Sequence, residues 1–144
     1  MSASSSLYSP VDRSNFDLIL ATLLEHRANP RRVACLFAPE ADWHMNGDQA
    51  GWAYAGRRSS RESILSYLGA FAVEYEQLNL TRLGSVIDGE QACVQYQVEL
   101  RHCGTQKTAR LDGLCFVRLE GELIVEVNEF IDSAALFRLG ESAA

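Results

Sequence analysis

The chain has 144 residues, 47% of them hydrophobic, with a formal net charge of −6 and a pI near 5.0. That describes one domain of ordinary size with enough apolar mass for a core of its own. The acidic balance argues against a nucleic-acid or anionic-membrane partner, since both need clustered Lys and Arg, and no window approaches the apolar length of a membrane span.

Residues 1–10 are Ser-rich and read as a tail, with the folded domain over 11–140. Met1 to Ser6 lack the charged segment and apolar run of a signal peptide, so a cytoplasmic protein is expected. Cys35, Cys93, Cys103 and Cys115 show no C-x-x-C spacing and read as reduced thiols. His26, His44 and His102 are scattered without zinc spacing, so neither a metal nor a cofactor is expected.

Ser14 and Asp17 form a capping-box pattern, and Phe16, Ile19, Leu20, Leu23 and Leu24 then repeat at helical spacing. Asn29-Pro30 ends that helix, and Pro30 opens a short second one that Pro39 should close. Ala41 to Asn46 reads as a short strand, followed by a long loop through Gly47, Gly51 and Gly56. Ser59 and Glu62 start a third helix carrying Ile64, Leu65, Leu68, Phe71 and Ala72 on one face.

From Tyr75 the period changes to two. Four strands are expected, over about 75–87, 91–102, 108–119 and 122–131. Asp88-Gly89, Gly104 and Glu120-Gly121 supply the turns, and Asp132 or Ser133 caps a short closing helix. Ala92, Val94, Tyr96, Val98 and Leu100 share one face of the second strand. The fold class is therefore α+β: a curved antiparallel sheet, made of the short first strand and a four-strand meander, wrapped over three N-terminal helices.

The last strand carries the strongest functional signal. Leu123, Val125, Val127 and Glu129 fall on one face by alternation, with Glu126 and Asn128 on the other. A carboxylate in an apolar row loses hydration, so its pKa should rise, as suits a general acid or base. The alternative is a carboxylate tied off by a backbone amide or an arginine at the sheet's end. Trp43 is either pocket wall or core, with Glu129 as one acceptor for its indole. Tyr96 is either a core tyrosine or a pocket hydroxyl, and either way a buried hydroxyl needs a partner. His44 alternates away from Trp43 and should face the other side of the sheet.

This order of elements resembles the SnoaL-like, or nuclear transport factor two-like, superfamily that includes ketosteroid isomerase. Leu36 to His44, then Trp43-His44-Met45-Asn46-Gly47, Tyr54-Ala55-Gly56-Arg57, and Glu129 to Leu136 look like its recurring motifs, in order, over about residues 12–140. The resemblance implies an apolar pocket between sheet and helices, lined here by Trp43, Met45, Leu68, Phe71, Val98, Cys115 and Val127, for a small apolar molecule. It also implies a homodimer through the sheet.

The known chemistries transfer unevenly. The isomerase base position falls on Met45 or Asn46, neither of which titrates, and its acid position on Cys115. The arginine and second carboxylate of limonene epoxide hydrolase fall on Tyr96 and Val98. The SnoaL-like cyclases leave the best match, with Glu129 as acid/base and Tyr96 as donor to a developing enolate. The competing reading is a non-catalytic ligand-binding or dimerisation module, with the pocket plugged or Glu129 neutralised by an arginine such as Arg27.

Overall fold

The computed structural model describes residues 12–141. The element order is α1 (Arg13–His26), α2 (Pro30–Val33), a 3-10 turn (Ala34–Leu36), β1 (Phe37–Met45), β2 (Gly56–Arg58), α3 (Arg61–Glu74), β3 (Tyr75–Asp88), β4 (Gln91–His102), β5 (Thr108–Glu120), β6 (Leu123–Ile131) and α4 (Ser133–Leu139). The expected tail, residues 1–10, lies outside the described residues.

Six strands form one sheet in the order β2-β1-β6-β5-β4-β3. All neighbours are antiparallel except β1 and β6, which run parallel, so the sheet is mixed where pure antiparallel pairing was expected. The four long strands fall within a residue of their expected ends. Alternation on β4 is as read: Ala92, Val94, Tyr96, Val98 and Leu100 are buried. They meet Phe16, Leu20, Leu23 and Leu24 of α1 and Ile64 and Leu68 of α3 in one core.

Local starts differ from the sequence reading by a residue or two, each for a visible reason. Asp12 caps α1 by accepting the Ser14 N–H at 3.0 Å, while the expected partner Asp17 turns outward to pair with Arg82 of β3 at 2.7 Å. Ser60, not Ser59, caps α3. The Ser63 hydroxyl takes the reciprocal role expected of Glu62, and Glu62 is left in the first turn, where the helix dipole favours it.

Pro39 does not end a helix but lies inside β1. The β1–β6 register shifts between Phe37, opposite Ile124, and Asp42, opposite Glu126. Pro39 sits in that irregularity, where a missing N–H interrupts no ladder. Val125 lies at the same irregularity on β6. Ile124 therefore takes the inner position and Leu123 is exposed, so the expected inner row holds only from Val127 onward. The loop after β1 also yields a strand the sequence did not announce, β2, which pairs with Trp43, His44 and Met45.

Candidate functional site

Three strands and the end of α1 converge on Glu129. On β6 it stands opposite Met45 of β1 on one side and Cys115 of β5 on the other. It is 1% exposed and is the one buried charged or polar residue among those described. Arg27 follows directly on α1, continuing the stripe of Phe16, Leu20, Leu23 and Leu24. Its guanidinium grips the carboxylate with both ends, Nη1 on Oε2 and Nη2 on Oε1 at 2.8 Å. The same guanidinium lies 5.1 Å from the Trp43 ring centroid and 5.7 Å from that of Phe71.

Tyr96 donates its hydroxyl to Glu129 Oε2 at 2.5 Å, and the Cys115 thiol donates weakly at 3.7 Å. Tyr96 is on β4, two strands away from Glu129, and its ring must cross β5 to arrive. The cross-strand neighbour it crosses is Gly113. A Cβ there would fall inside the phenol ring, so the glycine is what lets Tyr96 reach the carboxylate.

The electrostatics reverse the pKa direction expected for Glu129. Burial alone pushes the carboxyl up, as read from the apolar row. The Arg27 charge and the hydrogen bonds from Arg27, Tyr96 and Cys115 outweigh it and hold the carboxyl below its ordinary value. Burial would lower the Arg27 pKa, but Glu129 overcomes this and raises it. Burial, reinforced by the Glu129 charge, pushes both the Tyr96 phenol and the Cys115 thiol well up. At neutral pH the cluster is thus one carboxylate, one guanidinium and two protonated donors. Three of the four donor contacts fall on Oε2, from Arg27 Nη1, Tyr96 and Cys115, and only Arg27 Nη2 falls on Oε1, so Oε1 keeps an acceptor position.

The space over this cluster is narrow. Arg27, Glu129, Tyr96, Met45, Val98 and Phe71 share in lining a cavity whose free interior is about 20 Å³, room for about one water. Gln77 and Leu80 of β3 complete its wall, a contribution the sequence reading missed. A second void of about 20 Å³ lies beside it, bounded by Leu68 and Ala72 and sharing Arg27, Phe71, Gln77 and Leu100 with the first.

Of the expected lining residues, Met45, Phe71 and Val98 reach the first void and Leu68 the second. Cys115 touches Glu129 from below. Trp43 and Val127 are fully buried core and line neither void. The Trp43 indole N–H does not find Glu129, and it has no partner among the described residues; the Tyr67 hydroxyl beside it has none either. His44 is exposed on the opposite face, as expected. The loop from Gly47 to Gly56 does not cover this cavity. It packs against α3 and α4, tied by Trp52 Nε1 to the Tyr75 hydroxyl at 3.3 Å and by Arg58 to the carbonyls of Ala53, Tyr54, Ala55 and Gly56.

Among the described residues, no group of three or more His, Cys, Asp and Glu is placed to hold a metal ion. No helix among them is long and apolar enough to cross a membrane.

Residues 20–127 match the family model described as a SnoaL-like domain. The fold is similar to that of a nuclear transport factor two-like protein of unknown function from Burkholderia pseudomallei. The TM-score is 0.78 at 17% identity, over 89% of this chain and 98% of that one. It is also similar to a proposed isomerase from Rhodopseudomonas palustris (TM-score 0.75, 15% identity, 85% of this chain and 97% of that one). A proposed SnoaL-like polyketide cyclase from Jannaschia gives a TM-score of 0.76 at 12% identity, over 92% of this chain and 96% of that one. No curated protein matches the sequence.

Proposed function

The chain belongs to the SnoaL-like domain family, and on that fold we propose a small-molecule pocket protein. Its ligand is apolar, cyclic or carbonyl-containing, and is held by one acceptor oxygen on Arg27. The observation that carries this reading is the donor surplus of Arg27. A guanidinium has five N–H groups; two are committed to Glu129, and Arg27 makes no other hydrogen bond among the described residues. The remaining three belong to a side chain only 11% exposed that lines both voids. In this reading Glu129 and Tyr96 hold the guanidinium in place.

Entry of a ligand requires Phe71 and Gln77 to move, since both voids share them. Both are only half-buried, and rotamer changes there would join the two spaces. A second reading, with Glu129 as acid/base and Tyr96 as donor to an enolate, has the buried carboxylate and the short phenol contact in its favour. It requires the ligand to loosen the Arg27 pair, because the guanidinium charge and its hydrogen bonds hold the carboxyl below its ordinary value and so oppose proton uptake at neutral pH.

The homodimer belongs to the same proposal. On the outer face of the sheet Leu114 and Phe130 are direct cross-strand neighbours, 39% and 48% exposed, and the adjacent row carries Val86, Cys93 and Phe116. An apolar patch of this kind on a twisted sheet fits a second copy of the same patch.

A thermal-shift panel of carbonyl compounds, lactones and epoxides at pH 6 and pH 8 tests the pocket. Binding to the folded state raises the melting temperature by mass action. The shift should be equal at both pH values, because Glu129 stays ionised and Arg27 protonated throughout. Loss of the response in Arg27→Lys, which keeps the charge but not the fork, is expected. A ligand that binds at one pH only, or one that ignores Arg27→Lys, defeats the guanidinium reading and returns Glu129 to the proton-transfer role.

A further inference from the structure

The roomiest aromatic-lined cavity is not the one over Glu129. Between the loop at Trp52–Tyr54, the junction of α3 with β3, and the end of α4 lies a second cavity of about 280 Å³. That is close to the lower limit of ordinary small-molecule sites. Trp52, Tyr54, Tyr75 and Phe137 are its aromatic lining residues, and Glu74 and Glu141 its acidic ones.

The rings are fixed relative to one another. Trp52 stands edge-on to Tyr54 with centroids 5.6 Å apart, and Tyr54 edge-on to Tyr75 at 5.9 Å. The Tyr75 hydroxyl donates to the Leu136 carbonyl at 3.0 Å while accepting from Trp52, so loop, strand and α4 are tied together around the opening.

Glu74 is held by neutral partners. The Tyr54 hydroxyl donates to its Oε1 at 2.8 Å, and His102 Nε2 lies 3.0 Å from its Oε2. The His102 tautomer follows from its other nitrogen. Nδ1 accepts the Thr105 backbone N–H at 3.1 Å and so carries a lone pair, which puts the ring's proton on Nε2, facing Glu74. No Lys or Arg among the described residues forms an ion pair with Glu74. Lys107 approaches the other end of the cavity only through the Glu141 backbone carbonyl.

We propose that this cavity binds a small organic cation, an alkylammonium or quaternary ammonium group, between the aromatic rings and the carboxylates of Glu74 and Glu141. Ring faces attract such cations, and the attraction grows as water is excluded. A neutral guest of the same shape would gain the apolar contact but leave Glu74 without a counter-charge.

The chain has only two tryptophans, Trp52 lining this cavity and Trp43 in the core beside Arg27, and this makes the test specific. Full-length protein labelled with nitrogen-15 is titrated with choline and, separately, with 3,3-dimethylbutan-1-ol, its uncharged carbon counterpart. Choline should move the Trp52 indole N–H resonance saturably and leave that of Trp43 in place. The neutral alcohol should bind at least about fivefold more weakly. Glu74→Gln and Phe137→Ala should each weaken choline by about fivefold as well; Phe137 is 45% exposed, so its removal leaves the core intact. Equal affinity for the two probes, no saturable shift of Trp52, movement of Trp43 instead, or indifference to both substitutions would each overturn the proposal.

Discussion

Replacing Arg27 by Met tests the central electrostatic claim most directly. The substitution keeps an unbranched apolar stem and removes the guanidinium, leaving Glu129 with only the Tyr96 hydroxyl and the weak Cys115 thiol. At 1% exposure the carboxylate cannot recover its hydration. Removing one member of a buried, doubly hydrogen-bonded ion pair costs about 3–5 kcal/mol. For a domain of this size each kcal/mol lowers the melting temperature by roughly 3–5 °C, so a fall of roughly 10–20 °C is expected at neutral pH. The double variant Arg27→Met/Glu129→Gln removes both charges and should recover part of that loss. The resulting double-mutant cycle isolates the pair.

The pH profile sharpens the test. In the wild type Glu129 has its folded pKa below its unfolded value of about 4.3. Its contribution is therefore complete above that unfolded value and is lost as pH falls through the lowered folded one. Without Arg27, desolvation dominates and the folded pKa rises instead. The penalty of Arg27→Met should then shrink as pH falls toward 5, because the orphaned carboxyl can take up a proton. Urea unfolding midpoints at pH 5, 6, 7 and 8 measure this. A cost under about 1 kcal/mol, the range of exposed pairs, or a penalty that does not change with pH, would refute the account of a desolvated pair.

Tyr96→Phe deletes the hydroxyl donated to Glu129 and should cost about 1–3 kcal/mol by urea denaturation with an unchanged m-value. Tyr67→Phe removes a buried hydroxyl with no partner while keeping the ring that lies 4.2 Å from the Arg58 guanidinium, so it should be neutral or stabilising in the same assay. Gly113→Ala forces the Tyr96 ring off its path; a loss of about 1–3 kcal/mol is expected, together with loss of the Tyr96–Glu129 contact in a crystal structure. Phe130→Asp puts a charge into the outer apolar patch and should shift sedimentation from dimer to monomer without lowering the pocket's ligand response. A sedimentation coefficient unchanged by it would count against the sheet-to-sheet dimer.

Much of this fold was legible because alternation and turn residues are strong local signals. The hairpin ends at Asp88-Gly89 and Glu120-Gly121 each bounded two of the four long strands, and Gly89 and Gly121 do take the positive φ such turns need. What escaped was set by partners distant in sequence. Pro39 ends helices in most local contexts, yet β1 and β6 shift register around it. No local rule announces that shift. Asp17 looked like a capping residue but is claimed by Arg82, 65 residues away. At the site, Glu129 stood out because a charge interrupted an apolar row. Arg27 gave the matching signal on α1, at the end of the Phe16, Leu20, Leu23, Leu24 stripe. Reading the two interruptions together predicts their pairing; reading Glu129 alone gives the wrong direction for its pKa. Gly113, a glycine in the middle of an alternating strand, was the remaining readable sign of a close approach.

In the proposed reading, the balance of donors and acceptors decides which ligands the site favours. Glu129 supplies the buried acceptors at the pocket floor, and Arg27, Tyr96 and Cys115 donate to them. On the other side of the balance stand three N–H groups of Arg27 with no acceptor among the described residues; the unpaired Trp43 indole N–H and Tyr67 hydroxyl lie outside both voids. A cationic guest, such as a protonated amine, adjoins the fixed positive charge of Arg27. A guest that brings a carbonyl or enolate oxygen relieves an existing deficit, and its developing negative charge falls beside a guanidinium already oriented by Glu129. In the proposed reading, the same pair that keeps Glu129 ionised at neutral pH presents Arg27 as a preorganised donor to such an oxygen. The second cavity, lined by acidic and aromatic residues but no Arg or Lys, has the opposite preference in the further proposal, so the two spaces should sort ligands by the sign of their charge.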